Sequence, residues 1–305
     1  MVKMKKSELN YINNELKDIV NKKVIVTGAN SGIGFAICDI LLKKGAHVIM
    51  ACRNYDKAMA AKEKLLENNP DGKINILLYN QSTVAGGYEL SKVIISKHPD
   101  FYALILNAGL IGKKTDELYG GKIVQTIGVN YISTMAICFG LQEFLDKSND
   151  EHRIIFQGSI VARKCKYKAG QLYKTSLSKF KSYNISKCGI LNLFKYLRDS
   201  NSNPKTFYLY AEPGVSNTNI IRNLSTGIQK LGYFFLKAFF HSNYMGALDA
   251  CYAACNYVAN GDAFAPKGPN RVKGLPKLLN VSKEMNKSII SDGKHILGEI
   301  NGARW

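Results

Sequence analysis

Short apolar runs rich in valine, isoleucine and leucine alternate along this chain with longer stretches of helical periodicity, the pattern of a doubly wound α/β fold. Residues 24–26, 47–51, 74–79, 101–106, 153–157 and 205–210 are the apolar runs, and such continuous hydrophobicity predicts strands covered on both faces. Residues 35–44, 55–68, 84–97, 118–145 and 182–198 predict the intervening helices, the fourth interrupted near Gly128. Gly45 and the run Asn69-Pro70-Asp71-Gly72 supply stop signals. Leu9, Ile12, Leu16 and Ile19 recur at helical spacing, which predicts an amphipathic helix over 7–20 packed on the domain. Contact of that helix with a membrane surface is the less favoured alternative. The expected organisation is a helical arm over 1–21 and one α/β domain over 22–305. Its central sheet is expected to be mostly parallel, with a further segment over 219–240 and a C-terminal extension over 261–305.

Composition narrows the setting. The chain has 305 residues, 46% of them hydrophobic, which suffices for one large core. Its net charge of +19 favours anionic ligands, but the lysines are spread along the chain and no recognition module accompanies them, so nucleic-acid binding is not expected. Seven cysteines form no C-x-x-C and several sit in apolar runs, as buried thiols of a reducing, cytoplasmic protein do. Cys251 and Cys255 share a helix face, where core packing explains them better than metal. The five histidines are not spaced as ligands, and no metal is expected. Residues 1–6 are basic with no apolar run behind them, so no signal peptide is expected.

The candidate chemistry begins at the first strand. Val24, Ile25 and Val26 run into Thr27-Gly28-Ala29-Asn30-Ser31-Gly32-Ile33-Gly34, and a helix follows at once. Glycine clusters also make ordinary loops, but strand, glycine turn and helix together form the opening half of a unit that cradles a dinucleotide pyrophosphate. Gly28 permits the tight turn, Gly32 lets backbone approach phosphate, and Gly34 lets helix and strand pack closely. At the end of the second strand stands Cys52-Arg53-Asn54, with Lys57 one turn on. An acid there would bond a ribose 2′-hydroxyl and repel a 2′-phosphate, whereas a guanidinium pairs with phosphate. NADP(H) is therefore favoured over NAD(H), the alternative for Arg53 being a solvated residue at a strand end.

The G-x-x-x-G-x-G spacing led by Thr27 resembles the classical short-chain dehydrogenase/reductase family. Its further motifs arrive in order, each on the expected element: Asn107-Ala108-Gly109 after the fourth strand, Asn130 in a helix, Ser159 ending the fifth strand, then Tyr183-x-x-x-Lys187. Pro213-Gly214 and Thr218 follow the sixth strand. With 17 tyrosines in the chain, Y-x-x-x-K alone carries no weight; the order does. The likeness covers about residues 22–260 and is nearest the retinol-dehydrogenase-like branch and its bacterial relatives. It rests there on Thr-Gly-Ala-Asn-Ser-Gly-Ile-Gly, on Ala-Cys-Arg after the second strand, on the long gap between Ser159 and Tyr183, and on Gly268-Pro269 followed by Gly274-Leu275-Pro276. Two positions depart from the pattern. Asn80, followed by Gln81, stands where relatives carry an Asp against the adenine, and Glu212 stands where relatives of this type often carry His.

The resemblance implies a Rossmann domain with a central, mostly parallel seven-stranded sheet and residues 219–240 as a helical substrate lid. It implies an NAD(P)(H)-dependent oxidoreductase that interconverts a carbonyl and an alcohol by hydride transfer. Tyr183 would be the acid/base and Ser159 would polarise the substrate oxygen, while Asn130 would position a water that relays protons to Lys187. Tyrosine titrates near 10 when unperturbed, so Lys187 is expected to lower it toward the working pH by its charge. Gly28, Asn30, Ser31, Gly32, Ile33, Gly34, Arg53, Asn80, Asn107, Ala108, Gly109, Tyr183, Lys187, Pro213, Gly214 and Thr218 would border the cofactor. The aromatic run within 231–240 is too short to span a bilayer and suggests a hydrophobic substrate. The basic residues Arg163, Lys164, Lys166, Lys168, Lys174, Lys179 and Lys181 form either a solvated loop, the favoured alternative, or an attraction for an anionic substrate. A different class, a non-catalytic NADP(H)-binding regulatory protein, stays open. A sugar-nucleotide epimerase or dehydratase does not fit the glycine spacing. The oligomeric state is left open, a homo-oligomer being compatible with the sequence.

Overall fold

The computed structural model describes residues 4–112, 118–214 and 242–301. Eight strands form the main sheet: β1 (Lys23–Thr27), β2 (His47–Cys52), β3 (Lys73–Leu78), β4 (Ala103–Leu106), β7 (His152–Gln157), β8 (Thr206–Ala211), β9 (Ala263–Pro266) and β10 (Pro276–Leu278). A small hairpin, β5 (Leu118–Tyr119) and β6 (Ile123–Val124), lies apart from it. The sheet runs β10-β9-β8-β7-β4-β1-β2-β3, so its winding reverses between β1 and β4. In open α/β sheets the crevice at such a reversal, beyond the carboxyl ends of the strands, is where ligands bind.

Seven strands are parallel, as expected, and the eighth is the difference. β10 folds back antiparallel on β9, with Leu278 opposite Phe264 and Pro276 opposite Pro266. Its three residues are too short and too exposed to announce a strand by hydrophobic pattern.

Alternation along the strands divides the interior into two layers. Ile25, Ile154 and Phe156 face one layer, while Val24, Val26 and Ile155 face the other. Helices α4 (Val84–Lys97), α6 (Ser133–Lys147), α7 (Lys179–Asp199) and α9 (Lys287–Asn301) cover the first layer. Helices α2 (Gly32–Lys43), α3 (Tyr55–Asn68) and α8 (Asn243–Cys255) cover the second. The arm helix α1 (Lys6–Glu15) is shorter than expected. Leu16 leaves it in an extended conformation, yet Ile12, Leu16 and Ile19 are all buried on the second layer. Asn256, after α8, holds the departing chain by accepting from Lys17 N at 3.1 Å and donating to Glu15 O at 2.8 Å.

The expected interruption near Gly128 takes a specific form. Residues 118–124 are the β5–β6 hairpin, and the helix begins only at α5 (Gln125–Ile127). It then widens into a π-helical turn (Gly128–Ile132) before α6. A side chain on Gly128 would collide with the ring of Tyr119, whose hydroxyl lies 2.6 Å from Ser133 Oγ. The aromatic ring of the hairpin therefore fills the space beside the π turn. The expected lid, residues 219–240, lies outside the described residues.

Replacing Gly128 by Ala forces that ring from a packed site and should cost about 2 kcal/mol. Gly121→Ala meets only a left-handed backbone and open space, and should cost about 1 kcal/mol. Urea denaturation of the two variants measures the difference, and equal midpoints would contradict it.

Candidate active site

The glycine turn sits at the carboxyl end of β1. Gly28 and Gly32 have φ of +66° and +60°, a region that favours glycine. Ser31 is extended at the N-cap of α2, leaving the first amides of that helix directed at the crevice. A Cβ on Gly34 would collide with Gly28 O and lie 2.6 Å from Asn107 Nδ2, whereas one on Gly32 would meet nothing within 4 Å. The first absence lets helix and strand touch; the second leaves backbone open to a ligand. This cradle suits an anionic diphosphate.

β4 supplies the opposite wall. Asn107 Nδ2 donates to Thr27 O at 2.9 Å, and Ala108 N donates to Thr27 Oγ at 2.9 Å. Thr27, almost fully buried, thereby joins the ends of β1 and β4 across the crevice. The resulting cleft, about 350 Å³, is lined by Gly28, Asn30, Ser31, Gly32, Ile33, Gly34, Arg53, Asn107, Ala108, Gly109, Tyr183, Lys187 and Pro213. Those are thirteen of the expected cofactor positions. Arg53 stands exposed at the end of β2, donating to Ser82 Oγ at 3.0 Å. No carboxylate lines the cleft among the described residues.

Three expected positions are placed otherwise. Asn80 is exposed and absent from the cleft wall; its Oδ1 accepts from Ser82 N at 3.0 Å in a local turn. The neighbouring Gln81 lines the cleft instead, with Nε2 donating to Val129 O at 2.9 Å. Gly214 does not border the cleft, and Thr218 lies outside the described residues. Lys57 lines a neighbouring cavity against α2 and α8 rather than the cleft. Gln157 and Ser82 are cleft residues that periodicity gave no reason to select.

Ser159, Tyr183 and Lys187 converge where β7 ends. One helical turn of α7 puts Tyr183 and Lys187 on the same face, with Lys187 Nζ 5.9 Å from the centre of the Tyr183 ring. Lys187 Nζ donates to Gln157 O at 2.9 Å. Ser159 is buried, and its backbone N–H donates to the hydroxyl of Tyr210 at 3.3 Å. Desolvation lowers the pKa of Lys187 to about 8. For Tyr183 the balance differs from expectation. Burial raises its pKa, and a hydrogen bond with Ser159 opposes that rise without reversing it.

Asn130 has a structural part in the site. Its Oδ1 accepts from Leu110 N at 2.8 Å, while its Nδ2 donates to Leu110 O at 2.9 Å and to Ser186 Oγ at 3.0 Å. Both amide hydrogens and one lone pair of Oδ1 are used in pinning the loop after Gly109 to α7, and the second lone pair of Oδ1 can still accept.

The unusual Glu212 is explained by distance in sequence. It is completely buried and receives a two-pronged ion pair from Arg163, Nε to Oε1 at 2.8 Å and Nη2 to Oε2 at 2.7 Å. Burial nonetheless pushes its pKa up. One cation of the basic 160–182 segment is thus committed to an internal acid rather than to solvent. That segment is also held by Asp292 of α9, which accepts from Tyr167 and, at 2.6 Å, from Gly170 N.

Among the described residues no group of His, Cys, Asp and Glu could hold a metal ion, and no helix is long and apolar enough to cross a membrane.

The geometry can be set beside known proteins. The family profile for short chain dehydrogenases matches residues 22–228. Retinol dehydrogenase 14 of Mus musculus is 29% identical over 257 residues, covering 77% of this chain and 74% of that protein. The WW domain-containing oxidoreductase of Gallus gallus is 29% identical over 185 residues, 57% of this chain, and the match spans only 44% of that relative's length. Among solved structures, an uncharacterized protein from Mycobacterium Paratuberculosis shares the fold with a TM-score of 0.71 over 95% of this chain and 97% of its own, at 20% identity. The Pseudomonas aeruginosa RhlG/NADP active-site complex gives a TM-score of 0.61 over 80% of this chain and 94% of its own, also at 20% identity. The family profile runs from before β1 to beyond β8, through the strands, turns and α7 that build the cleft, and the chain therefore belongs to the short chain dehydrogenase family of oxidoreductases.

Proposed function

We infer that the protein is an NADP(H)-preferring oxidoreductase that interconverts a carbonyl and an alcohol, with Tyr183 as acid/base. The observation that carries this reading is the meeting of Tyr183 and Lys187 on the wall of a cleft built around the glycine cradle, with Ser159, just beyond β7, hydrogen-bonded to Tyr183. Bound NADP(H) supplies or accepts the hydride. The cradle over 28–34 would hold the pyrophosphate on amides at the start of α2, and Arg53 would pair with a 2′-phosphate.

In the reducing direction the Ser159 hydroxyl donates to the substrate oxygen and polarises the carbonyl. The Tyr183 hydroxyl then gives its proton to that oxygen as charge develops there, and in the oxidising direction it takes the proton back. Lys187 keeps an ammonium beside Tyr183 below about pH 8, while the Ser159 hydrogen bond opposes the desolvation that raises the phenol. Asn130 acts as a positioning residue, holding Leu110 and the loop after Gly109 against α7. Ile160 and Val161, which directly follow Ser159, share a cavity with Leu278 and Leu279 that suits a substrate with an apolar arm. A cytoplasmic setting is supported by seven cysteines that are all unpaired.

Three measurements follow. Tyr183→Phe should lower kcat for NADPH-dependent reduction of aldehydes and ketones by about 10²- to 10⁴-fold while NADPH binding persists. An unchanged rate would refute the acid/base assignment. If the wild type binds NADPH yet reduces none of a broad carbonyl panel, the regulatory alternative takes its place. Arg53→Ala should weaken NADPH by about tenfold and NADH hardly at all; titration of both nucleotides checks this, and tighter NADH in the wild type would contradict the Arg53 argument. The third concerns pH. A lysine whose pKa is lowered to about 8 carries its charge below that value and loses it above, so kcat/KM should fall as pH rises from 8 to 10. A flat profile across that range would show that the Lys187 charge is not used.

A further inference from the structure

A second cavity, about 730 Å³, is lined by Ile160 and Val161, the residues that directly follow Ser159. Gly158 lines the cleft, while Ile160 and Val161 line this second space, so Ser159 lies on the chain between residues of the two. Its far walls are the end of β9 (Ala265 and Pro266), the β9–β10 connection and the end of β10. It therefore occupies the carboxyl-end side of the sheet, where a substrate presenting its oxygen to Ser159 would extend.

The lining is amphipathic in a specific way. Ile160, Val161, Leu278 and Leu279 supply apolar surface, and every charged residue on the wall is basic: Arg163, Lys267, Arg271 and Lys277. Glu212 neutralises Arg163. Lys267, Arg271 and Lys277 make no ion pair with any described residue, although the chain has 23 acidic residues to offer. Asn270 and Arg271 both carry left-handed backbone, φ 50° and 56°; asparagine enters that region readily, but arginine does so only under local constraint. Strain of this kind collects where a side chain has a task.

The geometry points to an anionic group on the substrate: this cavity receives a carboxylate or phosphate at the end of an apolar arm, held by Arg271 and Lys277, while the carbonyl stays at Ser159. This names the substrate class for the oxidoreductase reading above and rests on it. It also gives the +19 chain a site, beside the residues that follow Ser159, where apolar surface meets cations that form no ion pair with a described residue.

The test uses the full chain with NADPH and two readouts. In calorimetric titration, octanoate and octyl phosphate should each bind roughly fivefold to tenfold tighter than octanamide, the range that two partly exposed cations supply. The Arg271→Gln/Lys277→Gln variant should bring that ratio close to one while NADPH affinity is retained, which shows that the cleft is intact. Between the two anions, the tighter one identifies the group the site takes. In steady-state assays, 8-oxooctanoate should exceed its methyl ester in kcat/KM by a similar factor, and added salt should erode the difference. Octanamide binding as tightly as both anions in the wild type, or an anion preference that survives in the variant, would overturn the proposal. An anion preference in binding with no aldehyde reduced would instead leave the pocket standing and remove the oxidoreductase reading. Reduction of the aldehyde ester with no preference in either readout would do the reverse.

Discussion

Helix α2 can begin against the end of β1 only because residue 34 has no side chain. Any Cβ there would strike Gly28 O and crowd Asn107, and the remainder of the crevice depends on that contact. With α2 seated, its first amides face the space between β1 and β4. Asn107 and Thr27 then tie those two strand ends together, so the turn after β4 is held at the same depth as the glycine cradle. Asn130 carries the restraint one step further, from Leu110 to Ser186, and Ser186 precedes Lys187 on α7. A single chain of close contacts thus runs from the glycine turn to the candidate catalytic helix.

Charge in the interior is handled unevenly, and the differences have meaning. Lys187 is buried with one backbone acceptor, so desolvation lowers its pKa into the range where an enzyme works. Glu212 is buried with a two-pronged partner, the arrangement that lets a carboxylate remain inside. Asp249 on α8 is buried with neither oxygen hydrogen-bonded among the described residues; burial and the nearby Glu212 raise its pKa well above the usual range. Buried acids and a buried lysine on neighbouring elements give this end of the sheet an electrostatic character that net charge alone does not convey.

Much of this was legible in the chain. The strands buried on both faces, the helices over 55–68 and 84–97, and the glycine cradle followed from patterns spanning a few residues. Tyr183 and Lys187 sit one turn apart because helix geometry demands it. What escaped notice depends on partners far away in sequence. The Arg163–Glu212 pair links positions 49 residues apart, and nothing local identifies either as the other's partner. The hairpin at 118–124 has the apolar content of a helix start, and its turn residues Gly120 and Gly121 were the overlooked signal. Asn80 and Gln81 exchanged roles because one step along an irregular turn moves a side chain from wall to solvent. The antiparallel β10 is defined by pairing with β9, not by its own composition.

The central claim is that one continuous crevice, from the glycine turn through the end of β4 to α7, takes a dinucleotide and presents it to Tyr183. Hydrogen–deuterium exchange with and without NADPH tests this directly, because amides that contact or are ordered by the ligand slow their exchange. Protection should appear together at residues 28–34, 107–110 and 183–187, with none at the far end of the sheet around residues 98–101. Protection confined to another region, or absent from the glycine turn at saturating NADPH, would contradict the account.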